Sequence, residues 1–506
     1  MEKKSFDIGH LESLAPSPVA IFWLLVLVCL AVYGMTFVSG WTYDDYPVIV
    51  NNPDIRGWQA FLRDVYPGRP MRELTYLLDH ALFGWKPGGW HLQQILWHVY
   101  SSWLLYLVAR LLGIKGWLAW SAAFFFAVHP IQVESVANLS HRKELLAQSF
   151  GLSAFYVYLR SSAWTGRRKW AALAGCLVLF QLTLLSNQTA VSFMFLPLLY
   201  EWLIVRRFQA SSWKARGLII GLLLACLALF VAAYFSRYSF QQELFTLYAQ
   251  NGALTDGSIR PLWGGVCKTF LLYIGKILFP VGLTPEYSVA LVSGWPEVGE
   301  VIGAIMLLGA LAAVWYCRWR APLCSFGVGW FLCLYLPIAG FLPVGAYLMA
   351  DRYMYMPLAG FALATVVLLG KIPGRHNAAM AVVLVLVLGA LAAKQTLYWR
   401  SNDALWAHAV EVNPESTGVL WSYNEVLQKQ GRHEESREAL EKIIAINRFF
   451  MPAYLALGET EAALGNLPKA IERLDFYVRY GPMVNARNID KARSKLKILK
   501  RLQHAR

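Results

Sequence analysis

Charge is scarce in this chain: Asp, Glu, Lys and Arg make up 15% of its 506 residues, where a soluble domain has about a quarter. That shortage excludes an ordinary soluble domain and predicts a protein mostly dissolved in lipid. The chain has few acids: 31 acidic residues stand against 46 basic ones, a net charge of +15. On a soluble protein that excess would suggest nucleic acid. On a membrane protein the cytoplasmic loops are basic anyway, so no nucleic-acid partner is expected. Cysteine is sparse too. Its seven positions (29, 176, 226, 267, 317, 324 and 333) lie in or beside apolar runs and lack metal-ligand spacing. This predicts free, packing thiols and no disulfide framework. No small-residue cleavage site follows the first apolar run, so Met1-Glu-Lys3-Lys4 and Pro18–Gly40 read as an uncleaved signal anchor.

What the chain has instead is apolar length. Hydrophobic residues make up 57%, and mean hydropathy is +0.43. Tryptophan is abundant at 21 residues, as expected where helix ends meet a bilayer interface. Runs of spanning length recur near 18–39, 90–112, 117–136, 144–160, 170–186, 189–205, 217–235, 299–316, 322–342, 354–370 and 378–396. These predict about 11 transmembrane helices in an all-α, polytopic fold. Lys3, Lys4, Arg110, Lys115, Arg160, Arg167, Arg168, Lys169, Arg206, Arg207, Lys214, Arg216, Arg318, Arg320, Lys371 and Arg375 fall on alternate loops, which makes those loops cytoplasmic. The run Lys268–Pro280 is apolar enough for a twelfth span. Its lysines at 268 and 276 and its Pro280 favour a helix lying in the outer interface or dipping partway in. The segment 236–298 and the C-terminus then lie outside.

From Lys394 the composition turns polar. Tyr454, Leu457, Gly458, Gly465, Ala470, Leu474 and Pro482 match positions 4, 7, 8, 15, 20, 24 and 32 of the tetratricopeptide (TPR) pattern. One period of 34 earlier, Gly431, Ser436 and Leu440 stand in the places of Gly465, Ala470 and Leu474. The expected division is a membrane domain over 1–397 and a TPR-like helical domain over 398–506. The second reads either as a groove for a protein acceptor or as a structural cap.

The chemistry gathers on the outer side. Asp44 and Asp45 sit where the first span meets water, at the head of a loop over 40–89. Arg69, Arg72, Arg142, Lys143 and Arg352 fall on the same side, against the positive-inside trend, together with His129, Glu134 and Asp351. Ionisable groups at membrane depth are costly and usually functional. A carboxylate can take the proton of an attacking hydroxyl. Guanidinium and ammonium groups can hold a leaving phosphate. Together they suit group transfer from a lipid phosphate, with a sugar as the group moved in one inverting step.

The motifs Tyr43-Asp44-Asp45 with Asn51-Asn52-Pro53, Arg69-Pro70-x-x-x-Leu74-Thr75, His129-Pro130-x-x-x-Glu134 with Arg142-Lys143-Glu144, and Asp351-Arg352-Tyr353-x-Tyr355-x-Pro357 occur in this order before the repeats. The whole set resembles the TPR-containing membrane O-mannosyltransferase family and its bacterial relatives, within the C-type glycosyltransferase (GT-C) superfamily. The resemblance implies a polyprenyl-phosphate-linked sugar donor, an exported protein as acceptor, and Asp44 or Asp45 as base, with the other orienting the acceptor or a metal. It makes Arg142, Lys143 and Arg352 the residues for the donor phosphate, supported by Arg69, His129, Glu134 and Asp351. Relatives often carry His-Pro-x-His where this chain has Gln132, and Lys-Pro where it has Ser186-Asn187-Gln188.

Plainer readings stand beside these. The Asp pair could mark the exit of a span, and His129 could be a satisfied helix-end histidine. Glu134 could make a structural ion pair with Arg142 or Lys143, Arg352 could anchor at the interface, and Arg69 and Arg72 could touch headgroups. A divalent cation, Mg or Mn, stays open as cofactor, since two adjacent carboxylates are a weak ligand set. The expected setting is a bacterial inner membrane with the TPR domain periplasmic. The alternatives are transfer to a lipid-linked or surface glycan, and a scaffold without catalysis.

Overall fold

The computed structural model describes residues 17–63, 69–114, 116–205, 221, 224, 228, 260–289, 295–339, 348–373, 376–481 and 488–504. The expected span 217–235, apart from the single residues just named, lies outside them. So do 236–259, 290–294, Lys3, Lys4, Lys115, Arg206, Arg207, Lys214, Arg216, Arg375, Cys226 and Pro482. Among the described residues the fold is helical, without strands.

The chain divides into two units. One comprises Met1–Leu283 and Val289–Arg400, the other Thr284–Ser288 and Ser401–Arg506. In the first, Pro18–Val38, Gly166–Ser186, Gln188–Val205, Val298–Cys317 and His376–Tyr398 are long and apolar enough to cross a membrane. Trp117–Val128, Pro322–Ile338 and Pro357–Leu369 are shorter apolar helices. Two more have spanning length, Pro87–Leu111 and Arg142–Ser161. Their polar side chains, among them His91, Gln94, His98, Gln148 and Ser149, are buried inside the unit. That placement lets a polar sequence sit in a bundle without facing lipid.

Local chemistry sets the helix ends. Ser17 caps the first helix by accepting from the Ala20 amide at 3.2 Å, with Pro18 at its first position. Gly84, at φ +57°, ends Pro70–Phe83, and Pro87 starts the next helix. The interior is tied by hydrogen bonds at bundle depth. His98 lies 2.8 Å from the Tyr355 hydroxyl and 2.9 Å from the Ala127 carbonyl, while Tyr33 donates to the same carbonyl at 2.9 Å. Pro322–Tyr335 and Pro357–Leu369 meet backbone to backbone. A Cβ on Gly360 would stand 2.5 Å from the Phe331 nitrogen, and one on Gly327 would stand 2.7 Å from that of Ala364, the small-residue packing that membrane helices use.

The ambivalent run around 268–280 lies in one helix, Arg260–Leu278. Val266, Phe270, Tyr273 and Ile277 bury one face, while Trp263, Leu272 and Leu278 are exposed. It touches Val298–Cys317 where a Cβ on Gly303 would clash with the Cys267 carbonyl. Tyr273 donates to the Ala350 carbonyl at 3.1 Å and accepts from the Ala350 amide at 2.9 Å.

The second unit is a series of helices, Asn402–Val412, Thr417–Lys429, His433–Ile446, Met451–Ala463, Leu467–Tyr480 and Ile489–His504. Met451–Ala463 and Leu467–Tyr480 begin and end 34 residues after Thr417–Lys429 and His433–Ile446. Gly431 and Gly465, at φ +71° and +82°, make the two hairpin turns. Leu420, Leu440, Ile443 and Leu457 fill one core. Tyr454, Leu474, Tyr477 and Leu496 fill the next.

Candidate functional site

The loop after the first helix folds onto its own aromatic core of Ile49, Ile55, Tyr76, Trp90 and Leu139. Leu139 belongs to the distant turn that carries His129, Glu134 and Arg142, so the core joins two motifs. Tyr76 strengthens the join by donating to the Leu139 carbonyl at 2.7 Å.

Asp45 makes the second join. It is fully buried, accepts from the Thr42 amide at 3.0 Å and from the Ser140 amide at 2.8 Å. Burial pushes its acid strength down, to a pKa of about 7, although the two backbone bonds pull the other way. Asp44 beside it is only partly buried. Between Thr42 and Asp44 the backbone turns left-handed at Tyr43, with φ +49°, a conformation rare for a bulky residue. Tyr43 and Asp44 both act electrostatically on Arg352.

Arg352 comes from the far end of the sequence. It is buried, and Glu134 holds it twice, through its amide at 2.8 Å and its guanidinium at 2.5 Å. His141 Nε2 lies 3.3 Å from the same carboxylate. Lys143 is partly exposed and sits 3.7 Å from Glu144. The charges of Arg69, Arg352 and Arg72 all act on Lys143. Arg69 donates to Gln188 at 3.4 Å, and Asn187 donates to Glu144 at 2.6 Å. Asp44, Arg69, Glu134, Lys143 and Arg352 thus share one neighbourhood. Asp351 is buried, its charge acting on Lys276.

Two expected site residues face elsewhere. Arg142 is wholly buried. It pairs with Asp79 and donates to Gln94 at 3.0 Å and to the Trp90 carbonyl at 3.1 Å, 5.0 Å from the centre of the Tyr76 ring. Burial raises the pKa of Asp79, and Arg142 opposes that rise. His129 uses both ring nitrogens: Nδ1 accepts from Ile131 at 3.2 Å, and Nε2 lies 2.9 Å from the Ile277 carbonyl. It pins helix Arg260–Leu278 to the turn.

Sequence reasoning gave no site role to Glu144, Asn187, Gln188 or His141. Glu144 and His141 stand within or beside the Arg-Lys-Glu motif, so the signal was present. The Asn187–Glu144 contact spans 43 residues and has no local signature.

A groove of about 640 Å³ is lined by Phe83, Leu92, Leu96, Trp97, Phe150 and Leu179 among others. Of its polar members Gln93, Tyr100 and Ser153, the last two bond each other at 3.1 Å, which leaves a mostly apolar wall. Among the described residues no group of three or more His, Cys, Asp and Glu is placed to hold a metal. Both Asp45 oxygens already take backbone amides.

No family model matches the chain. It is 24% identical over 551 residues to the protein O-mannosyl-transferase Tmtc3 of Drosophila melanogaster, covering 90% of this chain and 58% of the relative. It is 22% identical to the protein O-mannosyl-transferase F38B6.6 of Caenorhabditis elegans, covering 82% and 61%. With Tmtc2 of Drosophila melanogaster the identity is 30%, over 40% of this chain and 23% of the relative. The chain thus spans about three fifths or less of the length of these relatives. Among solved structures, it is similar to the arabinofuranosyltransferase AftD from Mycobacteria, with TM-score 0.39, 16% identity and 74% and 27% of the two chains covered. A second is ArnT from Cupriavidus metallidurans bound to undecaprenyl phosphate, with TM-score 0.40, 14% identity and 91% and 79% covered. By sequence, the homologues of this helical membrane chain are TPR-containing protein O-mannosyl-transferases.

Proposed function

We propose that this chain is a membrane glycosyltransferase that moves a sugar from a polyprenyl-phosphate carrier to a Ser or Thr hydroxyl of an exported protein. The observation that carries the reading is Asp44, a partly exposed carboxylate within electrostatic reach of Arg352. Arg352 in turn acts on Lys143, where it meets the charges of Arg69 and Arg72 from a second distant stretch.

In the proposed step Asp44 takes the proton of the acceptor hydroxyl. The freed oxygen attacks the anomeric carbon, and the bond from that carbon to the phosphate oxygen breaks. Its electron pair stays on the phosphate, which Lys143, Arg352 and Arg69 hold. Glu134 sets the angle of Arg352, and Glu144 with Asn187 sets that of Lys143. Asp45 and Arg142 hold the loop and the turn together and touch no reactant. The apolar groove under Phe83 takes the first isoprene units of the carrier. No step runs through a metal. We read the 34-residue hairpins as TPR units that engage the acceptor protein.

The test is mass spectrometry of exported proteins from cells with the intact chain, without it, and with Asp44→Asn. Hexose on Ser or Thr that disappears in the last two supports the reading. Unchanged modification with Asp44→Asn in a normally inserted chain overturns it.

A further inference from the structure

We propose that the exposed face of helix Ile489–His504 docks on an anionic phospholipid surface. The helix carries Lys491, Arg493, Lys495, Lys497, Lys500 and Arg501 against one acid, Asp490. Its inner side, with Ala492 and Leu496, is buried in the hairpin core. Three of the cations are used within the unit: Lys495 pairs with Glu459, Lys500 with Asp475 at 3.0 Å, and Arg493 with Asp490 at 3.1 Å. Lys491, Lys497 and Arg501 have no ion-pair partner among the described residues, and all three are exposed.

Two apolar side chains stand out among them. Ile498 is 56% exposed and Leu502 50%. Four residues apart, they form one row on the helix, and Lys491 lies on the same row two turns earlier. Lys497 and Arg501 form the adjoining row. Apolar rows edged with cations describe a helix that lies in an interface, apolar groups at the acyl boundary and cations among the phosphates. A protein partner or further helix on this face would have to bury three unpaired charges, which is costly. A phosphate layer complements them. The chain also supplies the surface: Ser401 follows closely on His376–Tyr398, a helix long and apolar enough to cross a bilayer. The tether raises the effective lipid concentration the helix meets.

The test uses the full chain in nanodiscs with a photo-crosslinking amino acid at position 502. Discs of neutral phosphatidylcholine are compared with discs in which about a third is phosphatidylglycerol. The expected result is a phospholipid adduct that is roughly tenfold stronger in anionic discs, given the usual gain per cation at such a surface. High salt removes it, and so does the combined change Lys491→Gln, Lys497→Gln and Arg501→Gln. An adduct to protein, an equal adduct in neutral discs, or none in either disc overturns the proposal. The glutamine variant leaves the Lys495–Glu459 and Lys500–Asp475 pairs intact, and its helical circular dichroism must match the parent.

Discussion

Asp45 accepts the backbone amide of Ser140 at 2.8 Å across 95 residues of sequence. That one bond fastens the first loop to the turn that carries Glu134 and Lys143. It also separates the adjacent carboxylates: one is a buried fastener, and its neighbour stays partly exposed.

The two acids should therefore fail differently. Asp44→Asn should cut transfer by at least about a hundredfold with an unchanged melting temperature. Asp45→Asn faces two amide donors with one oxygen fewer, and should cost about 1–3 kcal/mol of stability. Glycopeptide mass spectrometry and thermal unfolding check the pair. Equal melting temperatures for the two variants would contradict the assignment.

Protonation gives a second reading of Asp45. Its folded pKa of about 7 lies above the unfolded value. The buried acid then contributes stability that is full below pH ~4 and lost as pH rises through 7, by up to about 1.4 kcal/mol per pH unit. Melting temperature against pH should show this decline in the parent chain and lose it in Asp45→Asn. Parallel curves for the two proteins would refute the shift.

Arg142 and Lys143 are neighbours in opposite surroundings, the first buried against Asp79 and the second partly exposed. Arg142→Ala leaves the buried Asp79 unpaired and should cost about 3–5 kcal/mol. Removing Asp79 in the same chain should restore part of it. Lys143→Ala should spare the melting temperature and raise the KM for the lipid-linked donor. The double-mutant cycle and steady-state kinetics together check this.

Tyr43 holds a left-handed turn beside Asp44. Tyr43→Gly should gain up to about 1 kcal/mol by relief of that turn, yet lower kcat because the carboxylate is no longer set. Stability and kcat moving in the same direction would argue against a positioning role.

How much of this was legible follows from what is local. The 34-residue spacing of the C-terminal helices needs only Gly431, Gly465 and the apolar pattern between them, so it shows in the chain. The helical membrane class likewise follows from long apolar runs. Helices Pro87–Leu111 and Arg142–Ser161 carry polar residues whose burial only the assembled bundle explains. The contrast between Arg142 and Lys143 was not legible, because their helix begins at Arg142 and its phase turns one residue into the core. His129 has both ring nitrogens bonded, as in the plainer reading that stood beside its supporting role, and the Ile277 carbonyl that completes this is 148 residues away.

The contact of Gly327 with Gly360 reaches further than its size. With no side chain between them, the two helices have nothing to slide upon and keep one shared depth. In a thicker or thinner bilayer such a pair tilts as one rod. Arg352 stands just before the second helix of the rod and Glu134 on a separate short helix, so a change of bilayer thickness that tilts the rod would load their ion pair.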